Sequence, residues 1–413
     1  MKQVLVLCFF ATAAVDLRAG YLDSRHWSDP WLSLKPRETA GPASLFGAHP
    51  AYRSCVNWRL STGFLTQGAR IIRARSKEPV AREFSWEEPL APAVSIQRRL
   101  RQTPGLWLDL AFRENMLHRT VETRGLFKNG DGQGSMHYQD QMRGPMLRFG
   151  LRSSVLENRF WAGAHVIYGS LGRNFEVERR EPDQSQAWLI RENLSAQALG
   201  AGIGFYGVLP KDWLWALAWD SPLRLKTSSH DVVYQSTQTA WASGRTPLAS
   251  TVELPAHLSI GLAFTGGQGK RFWAEFHQIY FSRMKAGGRL VSDAGAGLLW
   301  DTALFQQQAM GLSSFEPPAY QDVRGLRFGL ERALIARTEL LFTGEFWTHY
   351  ADPRVLTPIF WAGLGFEPKT GFDLRGGLRV SRQDYFGDGL FWPKDQRLNE
   401  SILGLWAAFS TDF

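Results

Sequence analysis

The strongest constraint in this sequence is a two-residue rhythm of apolar side chains, carried in segments too short to cross a bilayer as helices. Successive side chains of a β-strand face opposite sides of the sheet, so this rhythm predicts strands with one apolar face. In the last segment Leu403, Leu405, Ala407, Phe409, Thr411 and Phe413 share one face, and Ile402, Gly404, Trp406, Ala408, Ser410 and Asp412 share the other. Comparable segments cover residues 106–114, 146–153, 159–168, 195–206, 213–219, 257–264, 271–281, 324–331, 338–347, 360–366 and 372–380. Each is close to the roughly 9–11 residues that a tilted strand needs to cross hydrocarbon. Within 271–281 the mostly apolar face holds Phe272, Ala274, Phe276, Gln278 and Tyr280, and the opposite face offers Arg271, Glu275 and His277.

The connections come in two sizes. Short ones at 210–212, 266–269 and 368–371 are built from Pro, Gly, Lys, Asp, Gln and Thr, and read as tight turns. Long ones at 226–253, 284–321 and 384–399 are polar or mixed and read as extracellular loops. Alternating short and long connections are what a transmembrane antiparallel barrel requires. No repeat with a period of roughly 20–50 residues is present, which sets aside propellers and solenoids. No stretch reaches the roughly 20 apolar residues of a spanning helix, so a helical membrane protein is excluded. The 17 Trp and 27 Phe beside 40 Gly fit a barrel with aromatic girdles.

Met1 and Lys2 precede an apolar run over residues 4–14 and small residues at Ala13, Ala14 and Ala19, the layout of a secretory signal peptide spanning 1–20. Cys8 lies inside that leader, so processing leaves Cys55 as the single thiol and no intramolecular disulfide. Residues 21–55, with Trp27, Trp31, Pro30, Pro36, Pro42 and Pro50, alternate little and are expected to form an irregular plug, leaving 56–413 for the barrel. The net charge of +8 is scattered through alternating strands, without a helical stripe or an RNA-binding aromatic motif. No nucleic-acid partner is expected; lumen or lipid-headgroup contacts are the plainer use.

Residues 129–134 and Asp140 place oxygen ligands and a glycine at calcium-loop spacing. Gln133 is a poor fifth ligand, however, and a solvated hairpin loop is the simpler reading. The histidines, among them His165, His257 and His277, show no metal-ligand spacing, and no metal or cofactor is expected. Trp213, Trp215 and Trp219, like Trp347 and Trp361, are expected in interfacial aromatic girdles, and Arg98, Arg99 and Arg101 in a solvated loop. No Gly-x-Ser-x-Gly elbow and no phosphate-binding glycine loop is present, and the chain is read as a non-enzyme.

Several pieces in order resemble the long-chain fatty acid transporter (FadL) family of outer-membrane barrels. A glycine-rich strand at 199–206 is followed by a turn and by 212–222, ending in the Ser221-Pro222 pair. A Leu254-Pro255 start leads into a strand with an internal Gly261, followed by 272–283, and the run 323–413 closes the chain. Ala48-His49-Pro50-Ala51 looks like the Asn-Pro-Ala motif of the family's hatch, with His49 in place of asparagine. The resemblance implies an all-β, transmembrane antiparallel barrel of about fourteen strands with an N-terminal luminal hatch. It implies passive passage of long-chain fatty acids or other hydrophobic small molecules, with lateral exit through the wall. Phe46, His49 and Pro50 would then touch ligand from the hatch. The last strand resembles the targeting strand of outer-membrane proteins, with Leu405, Phe409 and Phe413 read by the barrel assembly machinery. A monomer in the bacterial outer membrane, in contact with its lipid, is expected. A porin or adhesin working through the long loops is the alternative.

Overall fold

The structure is a computed structural model that describes residues 58–75, 82–86, 93–101, 106–129, 132–156, 159–180, 187–211, 213–236, 243–244, 251–266, 270–283, 285–286, 289–290, 321–335, 337–348, 356–369, 371–386 and 397–412. The expected leader and hatch, with Phe46, His49 and Pro50, and the terminal Phe413 lie outside the described residues.

The strands are β1 (Trp58–Arg75), β2 (Arg82–Trp86), β3 (Ala93–Arg101), β4 (Leu106–Asn129), β5 (Gly132–Leu156), β6 (Phe160–Arg180) and β7 (Ala187–Leu209). They continue with β8 (Trp213–Asp220), β9 (Leu223–Ser236), β10 (Ser243–Gly244), β11 (Thr251–Leu254), β12 (His257–Gly266) and β13 (Lys270–Ile279). After the short β14 (Lys285–Ala286) and β15 (Arg289–Leu290) come β16 (Val323–Ile335), β17 (Thr338–Thr348), β18 (Leu356–Lys369), β19 (Phe372–Phe386) and β20 (Arg397–Asp412). Every pairing is antiparallel, and β20 pairs with β19 on one side and β1 on the other, from Arg59↔Asp412 to Arg75↔Arg397. The pairings therefore return to their start, and the ring they trace through β1, β3–β8, β12, β13 and β16–β20 has fourteen strands. Each strand of that ring is paired on both sides, which is the condition for a sheet to exist in lipid.

Two wall strands are interrupted at the same level by proline. β7 pairs with β8 over Gly202–Leu209 and with β9 over Trp188–Leu199, so β8 and β9 are halves of one strand broken at Ser221 and Pro222. β12 pairs with β8 and β11 with β9, broken in turn at Pro255 and Ala256. Proline has no N–H to donate to the ladder. Ser221 repairs the gap: its N donates to Ala201 O at 2.8 Å and its Oγ accepts from Ala201 N at 2.9 Å.

Alternation resolves into two faces with opposite surroundings. On β13 Arg271, Trp273, Glu275, His277 and Ile279 are buried, while Phe272 and Phe276 are exposed. Outward Leu151, Leu199, Ile203, Leu262, Leu330 and Leu405 are about half exposed and belong to a belt of exposed apolar side chains. A continuous belt of that kind has no place in water and suits hydrocarbon. Near the short turns the belt ends in aromatic pairs: Phe160–Phe205 at 6.1 Å, Trp213–Phe264 at 5.2 Å and Phe372–Phe409 at 5.0 Å between centroids. The tight turns need left-handed backbone at Lys211, Arg337 and Gly371 (φ 61°, 66° and 82°).

Three expectations are corrected. Strands β4 to β7 run far past the hydrocarbon length, and β9 occupies the first part of the expected 226–253 loop, because ladders continue above the membrane where polar side chains face water. Arg98, Arg99 and Arg101 lie in β3, paired to β1 and β4, rather than in a loop. Asn129 and Gly132 close the β4–β5 hairpin, in keeping with the hairpin reading, while Gln133 and Asp140 are ladder residues of β5. Trp347 and Trp361 are 5% and 4% exposed and face inward, unlike the outward Trp213 and Trp219.

If the outward face meets lipid, Leu262→Arg lowers stability in vesicles by about 2–4 kcal/mol. Equilibrium urea unfolding measures this; a loss under roughly 0.5 kcal/mol, the size of a surface substitution in water, would show that the belt is not in hydrocarbon.

Candidate functional site

The inward face of β6 to β19 is layered along the strands. Toward the short turns it is apolar and aromatic: Trp161, Tyr206, Leu214, Ala216, Ala263 and Trp273 form one buried cluster, with Trp161 and Tyr206 edge to face at 5.1 Å. Toward the long loops it is again apolar, through Ala196, Ala198, Leu223, Leu225, Ile279, Phe281 and Val323. Between these layers lie two rows of charge.

The first row is set by register. His165, Gly202, Asp220 and His257 are successive partners across β6, β7, β8 and β12. His165 Nε2 lies 3.0 Å from Asp220 Oδ1, and His257 Nδ1 lies 3.9 Å from Asp220 Oδ2. The two partners can meet because the intervening residue has no side chain. A Cβ on Gly202 would stand 2.3 Å from Asp220 Oδ1 and 2.5 Å from His165 Cε1. The second row is Glu275, Arg327 and Glu345 across β13, β16 and β17. Arg327 donates from Nη1 to Glu275 Oε2 at 3.0 Å, and its Nε sits 3.2 Å from Glu345 Oε1.

His277 joins the rows. Its Nδ1 lies 3.0 Å from His257 Nε2 and its Nε2 lies 3.1 Å from Glu275 Oε2, so each contact uses one ring nitrogen. Glu345 continues the network by accepting from Trp347 Nε1 and Trp361 Nε1, both at 2.9 Å. Arg379 lies 5.0 Å over the Trp361 ring and Arg327 5.4 Å over Trp273. A connected polar girdle thus runs from β6 to β19, and buried charges persist there because each has a charged or hydrogen-bonding partner. Separate pairs, Arg271–Glu331 at 3.1 Å and Arg375–Asp373 at 2.8 Å, sit nearer the short turns.

This geometry limits the chemistry. Ser259 is buried and in register with His277, whose two ring nitrogens are engaged by His257 and Glu275. Among the described residues no group of three or more His, Cys, Asp and Glu is placed to hold a metal ion.

None of the ligand or assembly residues expected from the sequence belongs to this girdle. Leu405 and Phe409 stand on the outward face of β20, and Phe46, His49, Pro50 and Phe413 lie outside the described residues. The girdle's members were missed because they are far apart in sequence. The available signal was parity: His165, His257, Glu275, His277 and Arg327 all occupy the face opposite the apolar one, and register alone makes them neighbours.

The sequence matches no protein-family model and no curated protein. Solved structures do match. The Pseudomonas putida toluene transporter TodX superposes with a TM-score of 0.61 at 13% identity, covering 91% of this chain and 96% of TodX. The fold is that of the hydrocarbon transporters. The Ralstonia pickettii toluene transporter TbuX gives a TM-score of 0.57 at 12% identity over 91% of this chain and 99% of its own. A Pseudomonas aeruginosa FadL homologue gives 0.56 at 11% identity over 90% and 94%. The expected fold class, a FadL-type antiparallel barrel, is therefore borne out.

Two substitutions test the girdle. Arg327→Ala leaves Glu275 and Glu345 facing one another in a buried site and is expected to cost about 3–5 kcal/mol, part of which returns on adding Glu275→Gln. Denaturant titration in micelles gives the values, and a single-variant cost below about 1 kcal/mol would mean the charges are solvated. Gly202→Ala forces His165 and Asp220 apart, at roughly 1–3 kcal/mol. Gly376→Ala, whose methyl would meet nothing nearer than 3.4 Å, serves as the neutral comparison in the same titration.

Proposed function

We propose that this chain is a bacterial outer-membrane channel for passive passage of hydrophobic small molecules, entered from the long-loop end. The observation that carries the reading is the inward apolar patch of Ala196, Ala198, Leu225, Ile279, Phe281 and Val323, lying directly above the charged girdle. These side chains are already buried, so an apolar molecule gains roughly 0.8 kcal/mol per buried methylene only where they part to admit it. The same molecule would have to displace paired charges to continue along the axis. Capture above the girdle and sideways exit through the wall satisfy both conditions. The neighbours in fold, toluene transporters and a FadL homologue, support the same reading.

Charge selects among hydrophobic cargoes. In the connected girdle Glu275 and Glu345 hold the Arg327 guanidinium, Asp220 lies against His165 and His257, and Arg379 lies over Trp361. A fatty-acid carboxylate approaching that floor finds Arg327 already engaged by Glu275 and Glu345, whereas an uncharged hydrocarbon needs no charged partner. Uncharged monoaromatic or aliphatic molecules are thus the preferred class, ahead of long-chain fatty acids. The buried inward side chains disfavour a wide aqueous porin. The same proposal includes a leader at 1–20, a hatch at 21–55 touching ligand through Phe46, His49 and Pro50, a monomeric barrel, and recognition of Leu405, Phe409 and Phe413 by the assembly machinery.

The test is solute entry into vesicles carrying the refolded chain, with toluene, oleate and a neutral sugar compared, together with mass identification of co-purified lipid. Toluene entry above protein-free vesicles, with oleate slower, is the expected result. Oleate retention without toluene entry would return the cargo to fatty acids, and sugar permeation alone would make the chain a porin.

A further inference from the structure

On the long-loop side the outward face changes character within one step. On β7 it runs through Ile203, Ala201 and Leu199 and then Gln197, Ser195 and Asn193; on β16 it runs through Leu330, Phe328 and Leu326 and then Arg324. Five exposed basic side chains stand at or just past this edge on one contiguous stretch of wall: Arg224 and Lys226 on β9, Arg283 on the 3-10 turn Phe281–Arg283, Lys285 on β14 and Arg324 on β16.

Register fixes their direction. Arg224 is the partner of outward Leu199 and of Glu253, whose other partner is Lys285. Lys226 is opposite Gln197, and Arg324 is opposite Gln278, two residues past outward Phe276. The Arg283 guanidinium lies 5.2 Å over the Tyr280 ring.

The acidic residues described here are fewer. Glu253 accepts from Arg224 at 2.9 Å, yet the Arg224 side chain stays 65% exposed. Asp322 is turned toward Ser282, accepting from its N at 3.1 Å and its Oγ at 2.6 Å. A surplus of cations along a hydrocarbon edge fits phosphate, which guanidinium forks bind in a bidentate manner.

We propose that this patch binds the phosphates of a bisphosphorylated glycolipid in the surface leaflet, whose acyl chains lie on the apolar belt beneath it. Arg224 and Lys285 stand two strand spacings apart, roughly 10 Å, so the cations are spread for more than one phosphate. The long loops of such a barrel face the outside, which places the patch in that leaflet. The proposal rests on the membrane setting of the barrel and not on its cargo.

The full chain in zwitterionic detergent is mixed with bisphosphorylated lipid A, with its dephosphorylated form and with phosphatidylglycerol, and retained lipid is counted by native mass spectrometry. Lipid A is retained and the dephosphorylated form several-fold less. R283Q/K285Q/R324Q weakens retention by roughly five-fold per charge. K270Q/R332Q, at exposed positions near the short turns, binds as the parent does. Undiminished retention by the triple variant, equal retention of the dephosphorylated form, or equal retention of phosphatidylglycerol overturns the proposal. Should the triple variant fail to show heat-modifiable migration, K226Q/K285Q and a salt titration of the parent decide. Retention that falls in both supports the patch; retention unchanged in either overturns it.

Discussion

Inside a bilayer no water is available for a backbone N–H or C=O, and the pairing of β1 with β20 is what makes the rest of this structure possible. That ladder joins the first and last strands of the described residues and closes the ring. Once the ring is closed, each strand has one face toward lipid and one toward the interior, and every later property follows from that division. The proline break in β8–β9 is tolerable because Ser221 bonds both N and O of Ala201, and at the β11–β12 break Ala256 O accepts from Tyr280 N.

The interior answers a different constraint. A ring of this size encloses more space than strand side chains of ordinary size fill with apolar groups alone. Here the mid-level is filled by paired charges, held between an aromatic layer and an aliphatic one. Glycines at 202, 325 and 329 make room for His165 with Asp220, for Trp347 and for Trp273 respectively, each lying where a Cβ would clash. The girdle is thus both packing and barrier. Its hydrogen bonds and ion pairs tie β12, β13, β16, β17 and β18 together, and on the proposed reading it opposes axial movement of anything apolar. Function on this reading comes from the contrast between adjacent layers and not from a single reactive residue.

Much of this was legible from the chain alone. The alternation at 271–281 anticipates both faces of β13, and the Pro- and Gly-rich turns anticipate the hairpins at 210–212, 266–269 and 368–371. Trp213 and Trp219 are outward as expected, because flanking residues of the same parity are apolar. Trp347 and Trp361 are not, because an indole beside Glu345 gains a hydrogen bond inside that lipid could not provide. Type of residue did not separate these cases; the cross-strand neighbour did.

What the sequence determined by itself is local: strand rhythm, turn chemistry, the absence of a spanning helix, and hence a membrane-spanning sheet. What only the tertiary structure decided is register. Shifting one strand by a residue leaves its composition and periodicity untouched but sends its apolar set to the other face. The meeting of His165, Asp220, His257, His277, Glu275, Arg327 and Glu345 depends on that choice, since they lie on six strands that become neighbours through ladders.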